Sequence, residues 1–254
     1  MGKLVCSESN TGGSQSNRRI RESTIADGAL TTRVGQPRLL RYCARRSGLF
    51  RMAAAPFTPM KREELLKLLE DVGAVRQGHF ELSSGRHSGT YIQCALVLQH
   101  PRYAEQLGQA LAQEFHDLKP ACVVSPALGG VIVGHEVGRA LGVRAIFVER
   151  DRSGQMALRR GFDLHPGERV LVVEDVWTTG GSTREAIGVV EQSGGLVIAA
   201  GAIIDRSGGR VELTVPARAL LELSVPSYEP DDCPLCRAGS IAMRPGSRFV
   251  RANP

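Results

Sequence analysis

Residues 169–184 read RVLVVEDVWTTGGSTR, and this stretch decides the fold. An unbroken apolar run, Val170 to Val173, ends in the adjacent carboxylates Glu174 and Asp175. A turn with two glycines and four hydroxyl residues follows, and STREAIGVVEQSGG (182–195) then has helical spacing. A short apolar run without polar alternation fits a strand buried on both faces, as in a parallel sheet. In open α/β sheets the ligand sits beyond the carboxyl ends of the strands, where this turn falls.

Working outward, the same pattern recurs. ACVVSP (121–126), VRAIFVER (143–150) and GLVIAAGAII (195–204) are short apolar runs, and VIVGHEVGRALG (131–142) between two of them is helix-like. Strands alternating with helices imply βαβ units with right-handed crossovers, hence an α/β fold with a central parallel sheet flanked by helices. Upstream, TPMKREELLKLLEDVG (58–73) predicts a helix capped by Thr58, with Pro59 at its first position and Gly73 as terminator. HPRYAEQLGQALAQEF (100–115) predicts another, with Pro101 at its start and Leu107, Leu111 and Phe115 on one face.

The chain has 254 residues and a formal charge of +6. Residues 1–51 hold nine Arg and one Lys against three acids, a net +7, so the rest of the chain stands near −1. The basic balance therefore describes a tail and gives no reason to expect a nucleic-acid surface. Rich in Arg, Ser, Gly and Thr, residues 1–55 are expected to be a disordered extension, with residues 56–254 forming the folded domain. An organelle transit peptide is the other reading of the same composition. The disordered extension would itself arise by translation from an upstream start codon, with Met52 or Met60 as the natural beginning.

No apolar run reaches the roughly 20 residues that span a bilayer, and no secretory hydrophobic segment follows the early basic residues, so no membrane association is expected. Six cysteines without a regular framework suit a reducing compartment, here the cytoplasm. Cys233 and Cys236 in DDCPLCRAG form a lone CxxC. Two ligands cannot complete a tetrahedral zinc site, and the neighbouring sequence offers no second CxxC or His pair, so packing or an incidental thiol pair is expected.

The turn itself suits a phosphate. Thr178, Thr179, Gly180, Gly181, Ser182 and Thr183 bring backbone N–H groups and hydroxyls to a helix N-terminus, where the dipole favours an anion. Glu174 and Asp175 beside it can accept hydrogen bonds from sugar hydroxyls. The spacing fails both the Walker A loop and the dinucleotide fingerprint GxGxxG.

VVEDVWTTGGST resembles the phosphoribosyl-pyrophosphate motif of the type I phosphoribosyltransferases, and within that family the likeness is greatest to orotate phosphoribosyltransferases. The resemblance extends over roughly residues 57–250. It implies a small hood, formed by N-terminal and C-terminal segments, over the sheet. It also implies transfer of phosphoribosyl from 5-phosphoribosyl 1-pyrophosphate (PRPP) to orotate, a homodimer, and Mg2+ held mainly through substrate oxygens, with no protein side chain assigned to the metal. Glu174 and Asp175 would bind the ribose hydroxyls, and Val176, Trp177, Thr178, Thr179, Gly180, Gly181 and Ser182 would wrap the 5-phosphate. Asp175 is also taken as catalytic.

In PALGGVIVGHEVGRALG (126–142) the resemblance makes Ala127, Leu128 and Gly129 the pyrophosphate loop, presenting backbone amides to the leaving group. Many family members carry a Lys where this chain has Gly129, so side-chain charge has to come from elsewhere. RDRSGQMALRRGFDL (150–164) supplies it, with Arg150, Arg159 and Arg160 as catalytic candidates alongside Arg152. This segment resembles the family's mobile catalytic loop, contributed in the dimer by the neighbouring subunit. It lacks Lys, and His before His165, so electrostatic stabilisation and water exclusion are expected of it rather than acid catalysis.

Arg206 in AIIDRSGG, with Thr178, is the orotate-binding pair by resemblance, since a guanidinium can hold a carboxylate through two parallel hydrogen bonds. GHFELSSGRHSGTYIQC (78–94) resembles the segment that closes over the base. Ser84, Gly85 and Arg86 match it, Ser83 replaces a common Lys, and His87 has no assigned role. Two alternatives remain at this stage: a purine-using enzyme of the same fold, and a nucleic-acid-binding regulator built on it.

Overall fold

A computed structural model describes residues 60–82 and 84–245. The expected extension over 1–55, the Thr58 cap, Pro59 and Ser83 lie outside the described residues. In chain order the elements are α1 (Arg62–Asp71), β1 (Val75–Glu81), β2 (His87–Ile92), α2 (Ala95–Leu98), α3 (Pro101–Phe115), β3 (Cys122–Pro126), α4 (Gly130–Leu141), β4 (Arg144–Arg150) and β5 (Met156–Leu158). There follow β6 (Arg169–Trp177), α5 (Gly181–Gln192), β7 (Leu196–Asp205), β8 (Ala217–Glu222), β9 (Ser227–Tyr228) and α6 (Pro234–Arg237).

The main sheet has the order β5-β4-β3-β6-β7-β8. Every pairing from β4 to β8 is parallel, and β5 joins the edge antiparallel to β4. Double burial explains the apolar runs. Val123, Leu171 and Val173 pack in one cluster with Leu107, Leu111 and Phe115 of α3 and Val133 and Val137 of α4. The alternate residues Val124, Val170 and Val172 pack on the other face with Ala186, Ile187 and Val190 of α5. Period-2 alternation of the strands thus feeds two cores, one under each helical layer.

Helix α1 starts at Arg62, later than Pro59, with the Lys61 amide donating to the Glu64 carboxylate at 3.3 Å. A Glu three positions into a helix can satisfy an otherwise orphaned N–H, and here that sets the start. Helix α3 begins at Pro101 as its sequence requires.

A second sheet, β1-β2-β9, is antiparallel. The C-terminal segment returns to its other edge: the Glu81 amide donates to the Met243 carbonyl at 2.8 Å and the Met243 amide to the His79 carbonyl at 2.9 Å. Segments from both ends of the described chain therefore build the hood.

Part of the segment 150–164 is a hairpin arm that the sequence did not declare: β5 pairs with β4 through Arg150↔Met156, Glu149↔Ala157 and Val148↔Leu158. Asp151 makes the turn, its Oδ1 accepting from the Ser153 and Gln155 amides at 2.8 and 3.0 Å. A side chain that bonds its own following backbone stabilises a tight reversal, and the strand folds back on the sheet edge.

Leu111 is fully buried between α3 and the sheet. Leu111→Ala is expected to lower the unfolding free energy by about 2–5 kcal/mol in urea titrations.

Candidate active site

Strand β6 delivers Glu174 and Asp175 to the carboxyl edge of the sheet, and Gly180 turns the chain into α5. Its φ of +75° lies in the left-handed region, and an added Cβ would stand 2.7 Å from Val211 Cγ1, so glycine is required on both counts. The Gly181, Ser182 and Thr183 amides open α5 without an acceptor within the helix, and the Arg184 amide is the first to pair, donating to the Gly180 carbonyl at 2.9 Å. Thr178 and Thr179 are exposed. Arg184 braces the turn from behind, donating to the Thr179 carbonyl at 2.8 Å and to the Glu212 carbonyl at 3.1 Å.

The acid pair is only partly exposed to water. Burial pushes the Glu174 carboxyl up to about 7, the Asp175 charge adds to the rise, and the Thr183 and Ser182 hydroxyls oppose it. The Thr183 hydroxyl donates to Glu174 and accepts from Trp177 Nε1 at 2.9 Å, which fixes the Glu174 rotamer from below. Asp175 is likewise raised by burial, against hydrogen bonds from its own amide and that of Val176. Carboxylates kept from water hold their charge only where a ligand or donor compensates it.

The loop after β3 meets this pair directly. A Cβ built on Gly129 would lie 2.5 Å from Asp175 Oδ1, so a side chain there would force the carboxyl to move. This contact brings two of the sequence-assigned loops together. The peptide between Ala127 and Leu128 is cis. The Ala127 amide donates to the Val148 carbonyl at 2.7 Å, so it is spent on the sheet and cannot present itself to a ligand, contrary to the expectation. Among the described residues the Leu128 and Gly129 amides donate no hydrogen bond.

Two other assignments change in kind. The Trp177 side chain is buried in one core, so it can meet a ligand only through its backbone, and the Val176 side chain is partly buried against the other. The three arginines of the 150–164 segment are engaged within the chain. Arg150 pairs with Glu185 at 2.8 and 3.0 Å, Arg160 with Glu149 at 2.8 and 2.9 Å, and Arg159 approaches Glu149 at 3.7 Å. Any action on a bound anion requires these pairs to open, which costs little in water for the exposed Arg150–Glu185 pair and more for those on the largely covered Glu149 carboxylate.

Arg206 is different. Its amide donates to the Trp177 carbonyl at 2.9 Å, which fixes it beside Thr178. Asp205 shapes the following turn through the Ser207 and Gly209 amides at 2.7 and 3.1 Å. The guanidinium is partly buried, and burial alone lowers its pKa, with no acid among the described residues offsetting it. A desolvated cation without a carboxylate beside an anion-type turn is a seat for an anionic ligand.

In the hood, Arg86 is bound to Ser227, through Oγ at 3.0 Å and the carbonyl at 2.6 Å, and to Glu229. Its matching position is therefore filled by a structural role here. Sequence reasoning missed Thr183 and Arg184 as supports of the turn, and it missed two histidines. His79 and His87 stand beside Cys233 and Cys236, correcting the expectation that no His pair lies near the CxxC. A shallow depression over β8, lined by Met60, Leu65, Ala110 and Ala217, is set apart from these groups.

The raised Glu174 pKa has a sign. Its folded value of about 7 exceeds the ordinary 4.5, so the neutral form is favoured by folding. That stabilisation is complete below about pH 4.5 and disappears as pH rises through 7. Glu174→Gln is expected to gain stability relative to wild type over that window in chemical unfolding at stepped pH. A difference that does not vary with pH would contradict the assignment.

Three kinds of likeness to known proteins agree with this geometry. Residues 95–224 match the phosphoribosyl transferase domain family. The orotate phosphoribosyltransferase of Pelotomaculum thermopropionicum is 55% identical over 191 residues, 75% of this chain and 100% of that protein. That of Desulforamulus reducens is 52% identical over the same span. Among solved structures, the orotate phosphoribosyltransferase of Aeropyrum pernix shares 30% identity with a TM-score of 0.52, covering 63% of this chain and 93% of its own. The Mycobacterium tuberculosis H37Rv enzyme in complex with PRPP shares 28% with a TM-score of 0.51, covering 64% and 96%. Relatives this similar, matched over their whole length, show that the chain belongs to the orotate phosphoribosyltransferase family.

Proposed function

We propose that the protein transfers the phosphoribosyl group of PRPP to orotate, giving orotidine 5-phosphate and pyrophosphate in de novo pyrimidine synthesis. The observation that carries the substrate assignment is Arg206, a partly buried guanidinium without an acid partner among the described residues, tied by its amide to the end of the phosphate turn. Orotate brings the carboxylate this site lacks, and a planar fork can hold it through two hydrogen bonds. Thr178 supplies an exposed hydroxyl next to it.

In this reading the amides and hydroxyls from Thr178 to Ser182 hold the 5-phosphate, and Glu174 and Asp175 accept from the ribose hydroxyls. The Leu128 and Gly129 amides face the pyrophosphate. The bond from the anomeric carbon to pyrophosphate breaks as the pyrimidine nitrogen bonds to that carbon with inversion, and the nitrogen's proton passes to solvent. The chain's part is to position both partners and to keep the acid pair shielded from water. Mg2+ is a hard ion that takes oxygen ligands, and the all-oxygen donors of Glu174 and Asp175 suit it. Held mainly by substrate oxygens, it would neutralise charge on the departing pyrophosphate. A cytoplasmic homodimer, in which Arg150, Arg159 and Arg160 serve a bound substrate once released from Glu185 and Glu149, completes the reading.

Mixing the protein with orotate, PRPP and Mg2+ should consume orotate, followed by its absorbance, and a chelator in excess should stop it. Folded protein that leaves orotate untouched under these conditions would refute the assignment. Arg206→Ala should raise the KM for orotate roughly 10- to 100-fold, the loss of a charged hydrogen-bonded pair, with the KM for PRPP little changed. A purine as the better substrate, indifferent to Arg206→Ala, would replace orotate in the proposal.

A further inference from the structure

His79 in β1, His87 in β2, and Cys233 and Cys236 at α6 have ligand atoms that all lie within 4.8 Å of one another. About 150 residues of chain separate the histidines from the cysteines, so local sequence does not force this meeting. Four separations define the cluster. His79 Nε2 lies 3.0 Å from His87 Nδ1 and 3.5 Å from Cys233 Sγ, and Cys236 Sγ lies 3.8 Å from His79 Nε2 and 3.3 Å from His87 Nδ1. A tetrahedral zinc ion with nitrogen at ~2.0–2.1 Å and thiolate at ~2.3 Å sets its ligand atoms roughly 3.3–3.8 Å apart. The cluster has nearly those dimensions.

The surroundings fit as well. His79 Nδ1 is 3.1 Å from the Ser240 carbonyl. A carbonyl can only accept, so Nδ1 carries the proton and Nε2 offers its lone pair to the cluster, the arrangement that orients a metal-bound imidazole. His79 and Cys233 are buried, at 5% and 0% exposure. Both cysteines are free thiols. The Arg237 amide donates to the Cys233 carbonyl at 3.1 Å, closing the turn that aims both sulfurs inward.

We propose that His79, His87, Cys233 and Cys236 form a structural site for a zinc-class divalent ion. The ion staples the C-terminal segment to the β1–β2 hairpin. Four protein ligands leave no open position, so the site is structural and stands apart from substrate chemistry. Binding releases the two thiol protons, and two thiolates with one divalent cation leave a neutral centre, suited to burial. The hood needs such a staple: its strands have 7, 6 and 2 residues, and a small sheet of that kind has little core of its own.

The test uses the full chain, purified under reducing conditions without chelator. Elemental analysis should find about one zinc per chain surviving dialysis. Protein stripped of metal should take up Co2+ with the visible absorption of tetrahedral thiolate-bound cobalt, which Mg2+ cannot produce. Stripped protein should melt about 5 °C or more below the zinc form, and Cys236→Ser should lose the metal and melt near the stripped protein. If wild type holds no zinc and shows no cobalt band on titration, the proposal is wrong. It is equally wrong if Cys236→Ser keeps one zinc per chain. Should that variant fail to fold, wild-type stoichiometry and the cobalt spectrum decide. Metal content is independent of orotate consumption, so this result and the catalytic assignment stand or fall separately.

Discussion

The contact between Gly129 and the Asp175 carboxyl is the constraint on which the site depends. With room for no Cβ between them, the loop after β3 lies against the end of β6, and the two phosphate-type loops share one sheet edge. The parallel order β4-β3-β6-β7 makes this possible, because it sets the carboxyl ends of adjacent strands side by side. That closeness also shields the acid pair from water and raises both carboxyls. A ligand that brings hydroxyl donors and a cation would relieve the same penalty.

Charge is distributed unevenly around this edge. Arg150, Arg159 and Arg160 already have carboxylate partners, and Arg184 is spent on backbone carbonyls. Arg206 has no acid beside it among the described residues and is the most desolvated of the group. Exposed pairs such as Arg150 with Glu185 contribute little to stability and can rearrange at small cost. A half-buried cation cannot be ignored in this way. The edge thus carries one desolvated guanidinium, Arg206, and a set of hairpin arginines that Glu149 and Glu185 already hold.

How much of this was legible in the sequence follows from the range of each interaction. The apolar runs of β3, β6 and β7 declare themselves because both faces are buried, and the turn at 178–183 because its hydroxyls and glycines are contiguous. Strand β5 was missed because three residues, Met156 to Leu158, give too short a period, and its pairing is set by the Asp151 turn. Ala127 was misread since its amide is claimed by Val148, a partner in a different strand that local sequence cannot reveal. Trp177 sits inside the motif, yet its indole turns into the core to hold Thr183, so motif membership overstated its role. The cysteine pair suffered most, because its partners His79 and His87 are placed by the β1–β2 hairpin far upstream.

That last miss bears on how the hood is held. Burying a small antiparallel sheet yields little apolar stabilisation, and the hood's interior includes the polar His79 and Ser88 beside Phe80 and Cys233. Ser88 is satisfied by the Pro226 carbonyl at 2.9 Å, and Arg86 clamps Ser227 and Glu229, so the C-terminal segment is tied to β2 by polar contacts. Such contacts contribute only about 1 kcal/mol each. A cross-link formed where β1, β2 and α6 meet acts on all three at once and holds their separation against thermal opening. Because Ser84 to Arg86 lead directly into β2, whatever secures that junction also sets how firmly the segment that resembles the base-closing element stays in place.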